Sequence, residues 1–166
     1  LLIGLICLYQ LNVYTWFVAV SAIPLVILYP LAKRFTKWPQ IILGLTFSWA
    51  VPTAWSAANE EWNLGIFIMY LATVFWIIGY DTIYGCQDKN EDEIFGIKNS
   101  AVSAKNFLTL FVGCSYSLMF CLLIISGYLL NNNIFWYIGV SICGLHLTYQ
   151  VIKIKNIEQN NTLQIF

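Results

Sequence analysis

Carboxylates are concentrated in one short stretch of this chain, from Asp81 to Glu93, between two long apolar spans. Five of the eight acidic residues fall in these thirteen positions, in a chain that is 60% hydrophobic. If the stretch is helical, a rotation of about 100° per residue places Asp88 and Asp92 within roughly 20° of Asp81. Three carboxylates would then share one stripe. Oxygen ligands of this kind suit Mg²⁺, which takes one or two carboxylates and leaves positions for water and substrate phosphates.

The same helical geometry places Tyr84 and Glu91 beside this stripe, and cations lie near it in the sequence. Lys98 follows the acidic stretch, while Lys33 and Arg34 end an earlier apolar span. Carboxylates that hold a metal ion, together with such cations, form a receptor for a diphosphate. Arginine forms a planar fork for carboxylate or phosphate, whereas lysine acts as a point charge. Spacing alone leaves two simpler interpretations open: a solvated acidic loop paired with its own lysines, and basic residues that only set membrane topology.

Composition places the chain in a bilayer. Charged residues make up 10% of it and the mean hydropathy is +0.73, whereas an ordinary soluble domain is about 25% charged. Eight basic residues balance eight acidic ones. No basic run suggests nucleic acid as a partner, so membrane lipid is the expected surrounding.

Apolar spans of about 17–25 residues are long enough to cross the hydrocarbon core as helices. We therefore predict an all-α, multi-span transmembrane bundle of about five full spans and one shorter span. Pro52 lies inside a span and predicts a kink that a neighbouring helix must cover. The spans run over residues 1–11, 13–31, 39–58, 62–80, 106–130 and 134–152.

Charge placement supports this arrangement. If each span crosses once, all eight basic residues lie at one end of the bundle. The positive-inside rule makes that end cytoplasmic, so the acidic stretch is expected to face the cytoplasm. The basic residues are Lys33, Arg34, Lys37, Lys89, Lys98, Lys105, Lys153 and Lys155.

Three segments of the chain, taken in order, resemble the motifs of a known protein family. They are 29–40 (YPLAKRFTKWPQ), 44–52 (GLTFSWAVP) and 81–101 (DTIYGCQDKNEDEIFGIKNSA), followed by Tyr149 and Gln150. Together they resemble the UbiA superfamily of intramembrane prenyltransferases, and the third segment resembles its second aspartate-rich motif. Glu91 stands where many members have aspartate, and Asn99-Ser100 replaces the more usual Ser-Thr; neither change removes an expected metal ligand.

The resemblance implies a bundle of about nine transmembrane helices around a central cavity, the usual place for ligand sites in helical bundles. Residues 1–166 would form a single prenyltransferase domain that is incomplete at both ends, with the first aspartate-rich motif upstream. Members use Mg²⁺ to transfer a polyprenyl chain from its diphosphate to an acceptor. The implied metal ligands, also catalytic, are Asp88, Asp92 and, in support, Asp81; the implied substrate contacts are Lys33 and Lys98 for diphosphate, Arg34 for the acceptor's carboxylate, and Tyr84.

The wording of the motifs favours 4-hydroxybenzoate as acceptor, which implies ubiquinone synthesis in a bacterial inner membrane or a mitochondrial inner membrane. A haem, naphthoate or homogentisate acceptor within the same superfamily is the alternative. A channel or carrier whose acidic loop binds cations is a further alternative from another class. It predicts polar residues throughout the spans, whereas these spans are mostly apolar between their ends.

Overall fold

The computed structural model describes residues 2–58, 61–87, 94, 96, 98–104 and 107–160, with side chains except those of residues 2, 3 and 156–160. Every regular element in this part of the chain is an α-helix, which confirms the predicted all-α class. The helices are α1 (Leu2–Tyr9), α2 (Val13–Val20), α3 (Ile23–Phe35), α4 (Pro39–Phe47), α5 (Ala50–Ala58), α6 (Leu64–Tyr84), α7 (Ser100–Ser103), α8 (Leu108–Leu129) and α9 (Ile134–Asn160).

Five helical segments are long and apolar enough to cross a membrane. They agree with the five full spans predicted from hydropathy, and α1 corresponds to the shorter span. The third segment extends one helical turn beyond the predicted apolar span and so includes Asp81. The five segments are Val13–Phe35, Pro39–Ala58, Leu64–Tyr84, Leu108–Leu129 and Ile134–Lys155.

The first of these segments is broken between α2 and α3, which hydropathy did not predict. The helix turns at Ser21 and Ala22, where the Ser21 hydroxyl donates to the Val18 carbonyl at 2.6 Å. Pro24 then lies in the first turn of α3, a position where its missing N–H leaves no helical bond unmade.

The second segment is broken just before Pro52, at the junction of α4 and α5. Because Pro52 has no N–H to offer the Ser48 carbonyl, the Val51 N–H donates to that oxygen instead, at 2.9 Å. The indole N–H of Trp49 reaches across to the Val18 carbonyl at 2.8 Å. The kink predicted at Pro52, covered by a neighbouring helix, is therefore confirmed.

Helix α6 is the central element and packs against α4, α5 and α8. Glycines allow the close approaches. A Cβ atom added at Gly44 would lie 3.0 Å from the Val74 carbonyl oxygen, and one at Gly79 would lie 2.5 Å from Cε1 of Tyr116. The Tyr116 ring is buried, and its hydroxyl donates to the Gln150 side chain at 3.1 Å.

The two ends of the bundle carry different contacts. At one end, the Asn12 amide donates to the Ser56 carbonyl at 2.9 Å and the Ser126 hydroxyl donates to the Gly65 carbonyl at 2.8 Å. At the other end, Ile154 of α9 joins the cluster that contains Ile83 of α6. This second end, which we call the basic end, carries the described lysines and Arg34, as the alternation of spans predicted.

The close contact at Gly79 predicts a specific loss of stability. Gly79→Ala should destabilise the bundle by about 1–3 kcal/mol, because overpacking forces the hydrogen-bonded Tyr116 ring to move. Gly139→Ala is the matched control, since nothing lies within 4 Å of a Cβ atom there. Thermal unfolding in detergent should separate the two variants by several degrees; equal unfolding temperatures would contradict the packing described here.

Candidate active site

Asp81 lies in the last turn of α6, and the helix ends three residues later at Tyr84. The Gly85 N–H still donates to the Asp81 carbonyl at 2.8 Å, but the Gly85 carbonyl accepts from the Asn99 amide at 3.2 Å. Helix α6 thus ends before Asp88 and Asp92. The predicted alignment of these two carboxylates with Asp81 falls on residues outside the described part of the chain and stays a prediction.

The four remaining acids of the stretch, Asp88, Glu91, Asp92 and Glu93, lie outside the described residues. Asp81 is thus the one predicted metal ligand whose surroundings the structure gives.

The predicted cations Lys33 and Arg34 occupy the last turn of α3 and are both exposed. Positive charge there interacts favourably with the carboxyl end of the helix dipole. The Lys33 ammonium lies 5.7 Å from the ring centroid of Tyr29, in a cation–π contact. Both cations therefore remain accessible to a ligand at the basic end.

The loop between α3 and α4 is held against α7 and α8. The Ser103 hydroxyl donates to the Lys37 carbonyl at 2.9 Å. The Trp38 ring packs on Phe111, with ring centroids 4.9 Å apart. The loop between α3 and α4 is consequently fixed to the segment that follows the acidic stretch.

A buried polar network joins these segments. The Gln40 side-chain N–H donates to Asn99 Oδ1 at 2.9 Å, and the Ser100 backbone N–H donates to Gln40 Oε1 at 3.0 Å. Asn99 Oδ1 also accepts from the Ala101 N–H at 3.0 Å and so caps α7. Gln40 and Asn99 are 5% and 6% exposed and Ser100 is fully buried, so water cannot replace these bonds. We call Gln40, Thr82, Asn99 and Ser100 the amide network.

Thr82 connects the amide network to α6. Its hydroxyl donates to the Ile78 carbonyl at 2.7 Å and lies 2.6 Å from the Ser100 hydroxyl. Because a hydroxyl has one hydrogen, the Ser100 hydroxyl is the donor in the second contact. Thr82 therefore ties the helix that carries Asp81 to α7.

The Asp81 carboxylate is half-buried beside this network. Lys33, in the last turn of α3, provides positive charge at the same end of the bundle. Of the predicted site residues, Asp81 and Lys33 thus lie at the same end of the bundle. Lys98 is half-buried immediately before Asn99, whereas Tyr84 is 49% exposed at the end of α6.

Asp81 has the kind of side chain that binds a hard cation. Asp81 offers carboxylate oxygens, the ligands that magnesium prefers. In the described part of the chain, no group of three histidine, cysteine or acidic side chains converges. A magnesium site that includes Asp81 therefore depends on Asp88 and Asp92 and stays a prediction.

Two cavities open elsewhere, between α8 and α9. One has a volume of about 1100 Å³ and extends from Phe107 and Lys155 to Cys121. The other has about 670 Å³ and reaches Tyr116 and Gly144. None of the predicted site residues that the structure describes lines either cavity, so these cavities are separate from the surroundings of Asp81.

Sequence reasoning gave no role to the members of the amide network, although all four lie in the motif segments. One signal was available: Gln40 and Thr82 are polar residues placed within a turn of the ends of apolar helices. In a bilayer such residues need hydrogen-bond partners. Gln40 and Thr82 find theirs in Asn99 and Ser100, which belong to another segment.

Comparison with known proteins places this chain among prenyltransferases. The family model described as "UbiA prenyltransferase family" matches residues 1–166. The 4-hydroxybenzoate octaprenyltransferase of Francisella tularensis subsp. novicida is 39% identical over 165 residues, which are 99% of this chain and 58% of that protein. The mitochondrial 4-hydroxybenzoate polyprenyltransferase of Dictyostelium discoideum is 39% identical over 163 residues, 95% of this chain and 34% of that protein. The chain thus spans less than two thirds of either relative. No solved structure matches it.

The Thr82 contact predicts a difference between two threonines of α6. Thr82→Val should cost about 1–3 kcal/mol, because the buried Ser100 hydroxyl loses its acceptor. Thr73→Val is the matched control, since the Thr73 hydroxyl only donates to the Met69 carbonyl of its own helix, at 2.8 Å. Thermal unfolding should show the larger loss for Thr82→Val; a larger loss for Thr73→Val would remove the cross-link from the account of the fold.

Proposed function

Because this chain belongs to the UbiA prenyltransferase family, we propose that the complete protein transfers a polyprenyl chain from polyprenyl diphosphate to the ring of 4-hydroxybenzoate, in ubiquinone synthesis. The observation that carries the proposal is the similarity, along 99% of this chain, to a protein named for that acceptor. The location of Asp81 and Lys33 at the same end of the bundle supports it.

The reaction breaks the bond between the first carbon of the polyprenyl chain and the diphosphate oxygen. The electron pair leaves with the diphosphate and an allylic cation remains. The ring carbon next to the phenol oxygen attacks this cation, and that carbon then loses its proton. Water would quench the cation, so the site must be dry, and five apolar helical segments supply a suitable setting.

Magnesium would be held by Asp88 and Asp92, with Asp81 in support. When bound, the ion supplies neutralisation of the charge that develops on the departing diphosphate. Asp81 is suited to a supporting role because it is half-buried near the basic end of α6.

The cations of the site divide between the two substrates. Lys33 and Lys98 would bind the diphosphate as point charges, and Tyr84 would contact substrate from the end of α6. Arg34 would bind the carboxylate of 4-hydroxybenzoate, since its planar fork matches a carboxylate. The exposure of Lys33 and Arg34 leaves both free to reach a ligand.

The basic end would face the cytoplasm, or the mitochondrial matrix, because positive residues are retained on that side of a membrane. Diphosphate and magnesium would then reach the site from the same compartment. A bacterial or mitochondrial inner membrane is the proposed location, in accord with one bacterial relative and one named as mitochondrial.

Prenyl transfer by the complete protein tests this proposal. With polyprenyl diphosphate and magnesium it should prenylate 4-hydroxybenzoate, and Asp88→Asn should lower the rate about a hundredfold, or roughly 2.7 kcal/mol in barrier height. Glu61→Gln is the control, because Glu61 is exposed at the opposite end of the bundle. Near-normal turnover of Asp88→Asn would remove Asp88 from the site. Transfer only to a naphthoate or homogentisate acceptor would overturn the acceptor assignment.

Arg34 allows the two substrates to be separated. Arg34→Ala should raise KM for 4-hydroxybenzoate about tenfold or more, since a charge-assisted pair is lost, and should leave KM for polyprenyl diphosphate within about twofold. Arg34→Lys should recover only part of the loss because it lacks the bidentate fork. Steady-state kinetics with each substrate varied in turn makes the measurement, and the reverse pattern would assign Arg34 to the diphosphate.

A further inference from the structure

We propose that Gly85 and Asn99 form a matched pair that positions Lys98 for diphosphate binding. The assignment rests on the proposed function, in which Lys98 contacts the diphosphate. It adds two positioning residues, one at the end of α6 and one directly after Lys98, that themselves touch neither substrate.

The Asn99 side chain joins three segments of the chain. Its amide nitrogen donates to the Gly85 carbonyl at 3.2 Å, and its oxygen accepts from the Ala101 N–H at 3.0 Å and from the Gln40 side chain at 2.9 Å. Asn99 is 6% exposed, so bulk water cannot take over these bonds. Both ends of the amide are therefore engaged, and the backbone next to Lys98 is held against the end of α6.

Gly85 makes this contact possible because it has no side chain. A Cβ atom added there would lie 2.7 Å from both Oδ1 and Nδ2 of Asn99. The φ and ψ angles of Gly85 are −64° and −11°, which lie in a region open to every residue type. The backbone therefore does not require glycine at this position, whereas the Asn99 amide does.

The link to α6 bears on Lys98 because that helix carries other residues of the proposed site. Asp81 and Tyr84 lie in its last turn, and Lys98 is half-buried directly before Asn99. Lysine binds a phosphate as a point charge, and the energy of such a contact depends on distance. Movement of this segment away from α6 should therefore weaken diphosphate binding.

The variant Asn99→Ser separates the two roles of the asparagine. The new hydroxyl can still accept from the Ala101 N–H, as serine does at the start of helices, so α7 keeps its cap. Because that oxygen lies one bond nearer to its own backbone than the asparagine nitrogen, the bond to the Gly85 carbonyl is lost. Gly85→Ala breaks the same contact from the other side, by pushing the Asn99 amide away.

The test compares Asn99→Ser and Gly85→Ala in the complete protein. Each should raise KM for polyprenyl diphosphate about fivefold and leave KM for 4-hydroxybenzoate within about twofold, because only the diphosphate contact is misplaced. In a Lys98→Met background, Asn99→Ser should add less than about twofold, since the effect acts through Lys98.

Two further readouts do not depend on turnover. Inorganic diphosphate with magnesium chloride should raise the unfolding temperature less in both variants than in the unaltered protein. Trypsin should cleave after Lys98 faster in both variants, because the segment is released from α6.

Matched controls distinguish positioning from a general loss of stability. Asn12 also caps a helix, accepting from the Thr15 N–H at 2.8 Å, and it donates to the Ser56 carbonyl at 2.9 Å at the opposite end of the bundle. Asn12→Ser therefore removes a comparable link away from the site. Gly139→Ala is the control for an added methyl group, since no described atom lies within 4 Å of a Cβ atom there. Neither control should change KM for polyprenyl diphosphate.

The outcomes are distinct. Unchanged KM for polyprenyl diphosphate in Asn99→Ser and Gly85→Ala, or the same rise in Asn12→Ser, or full additivity with Lys98→Met, would each overturn the positioning role. Absence of prenyl transfer in the unaltered protein would overturn the proposed function instead. In that case the diphosphate-dependent unfolding temperature and the cleavage after Lys98 would still decide whether Gly85 and Asn99 position this segment.

Discussion

The buried amide of Gln40 is the interaction on which the basic end of this bundle depends. A polar group left unpaired away from water costs several kcal/mol, and within a bilayer no water is available to pair it. Among the described residues, the Gln40 side chain bonds Asn99 and Ser100, about sixty residues further along the chain. Asn99 and Ser100 in turn bond Gly85 and Thr82, so the start of α4, the end of α6 and α7 must come together for the network to form. Assembly of the fold and assembly of the site are therefore one event.

Close helix packing provides the frame for this network. Apolar side chains are as well solvated by lipid as by protein, so association of membrane helices relies on tight contact and hydrogen bonds. Gly44 lets α4 approach α6, and Gly79 lets the Tyr116 ring of α8 lie against the same helix. Helix α6 is thereby held on two sides within a turn or two of Asp81. A carboxylate on such a helix has a more fixed backbone than one on a loop.

Hydropathy and charge predicted the larger features and missed those set by tertiary partners. Span length identified the five apolar segments, and the alternation of lysines and asparagines identified the two ends. The end of α6 at Tyr84 was not predicted, because local sequence does not reveal that Asn99 binds the Gly85 carbonyl. The break at Ser21 was missed for a different reason: it is marked by a local bond from the Ser21 hydroxyl to the Val18 carbonyl, within a run that hydropathy scores as uniformly apolar. Periodicity detects which face of a helix is apolar, but not which residue from a distant segment will end it.

The polar residues at the basic end divide into two kinds according to their burial. Gln40, Thr82, Asn99 and Ser100 are buried and hydrogen-bond one another, whereas Lys33 and Arg34 are exposed and carry charge. Burying the cations would incur a large desolvation cost, and exposing the amides would let water compete for their bonds. Asp81 is half-buried, directly before Thr82 of the amide network and at the end of the bundle that carries Lys33. Such a position combines a backbone held in a packed helix with a carboxylate that a charged ligand can reach.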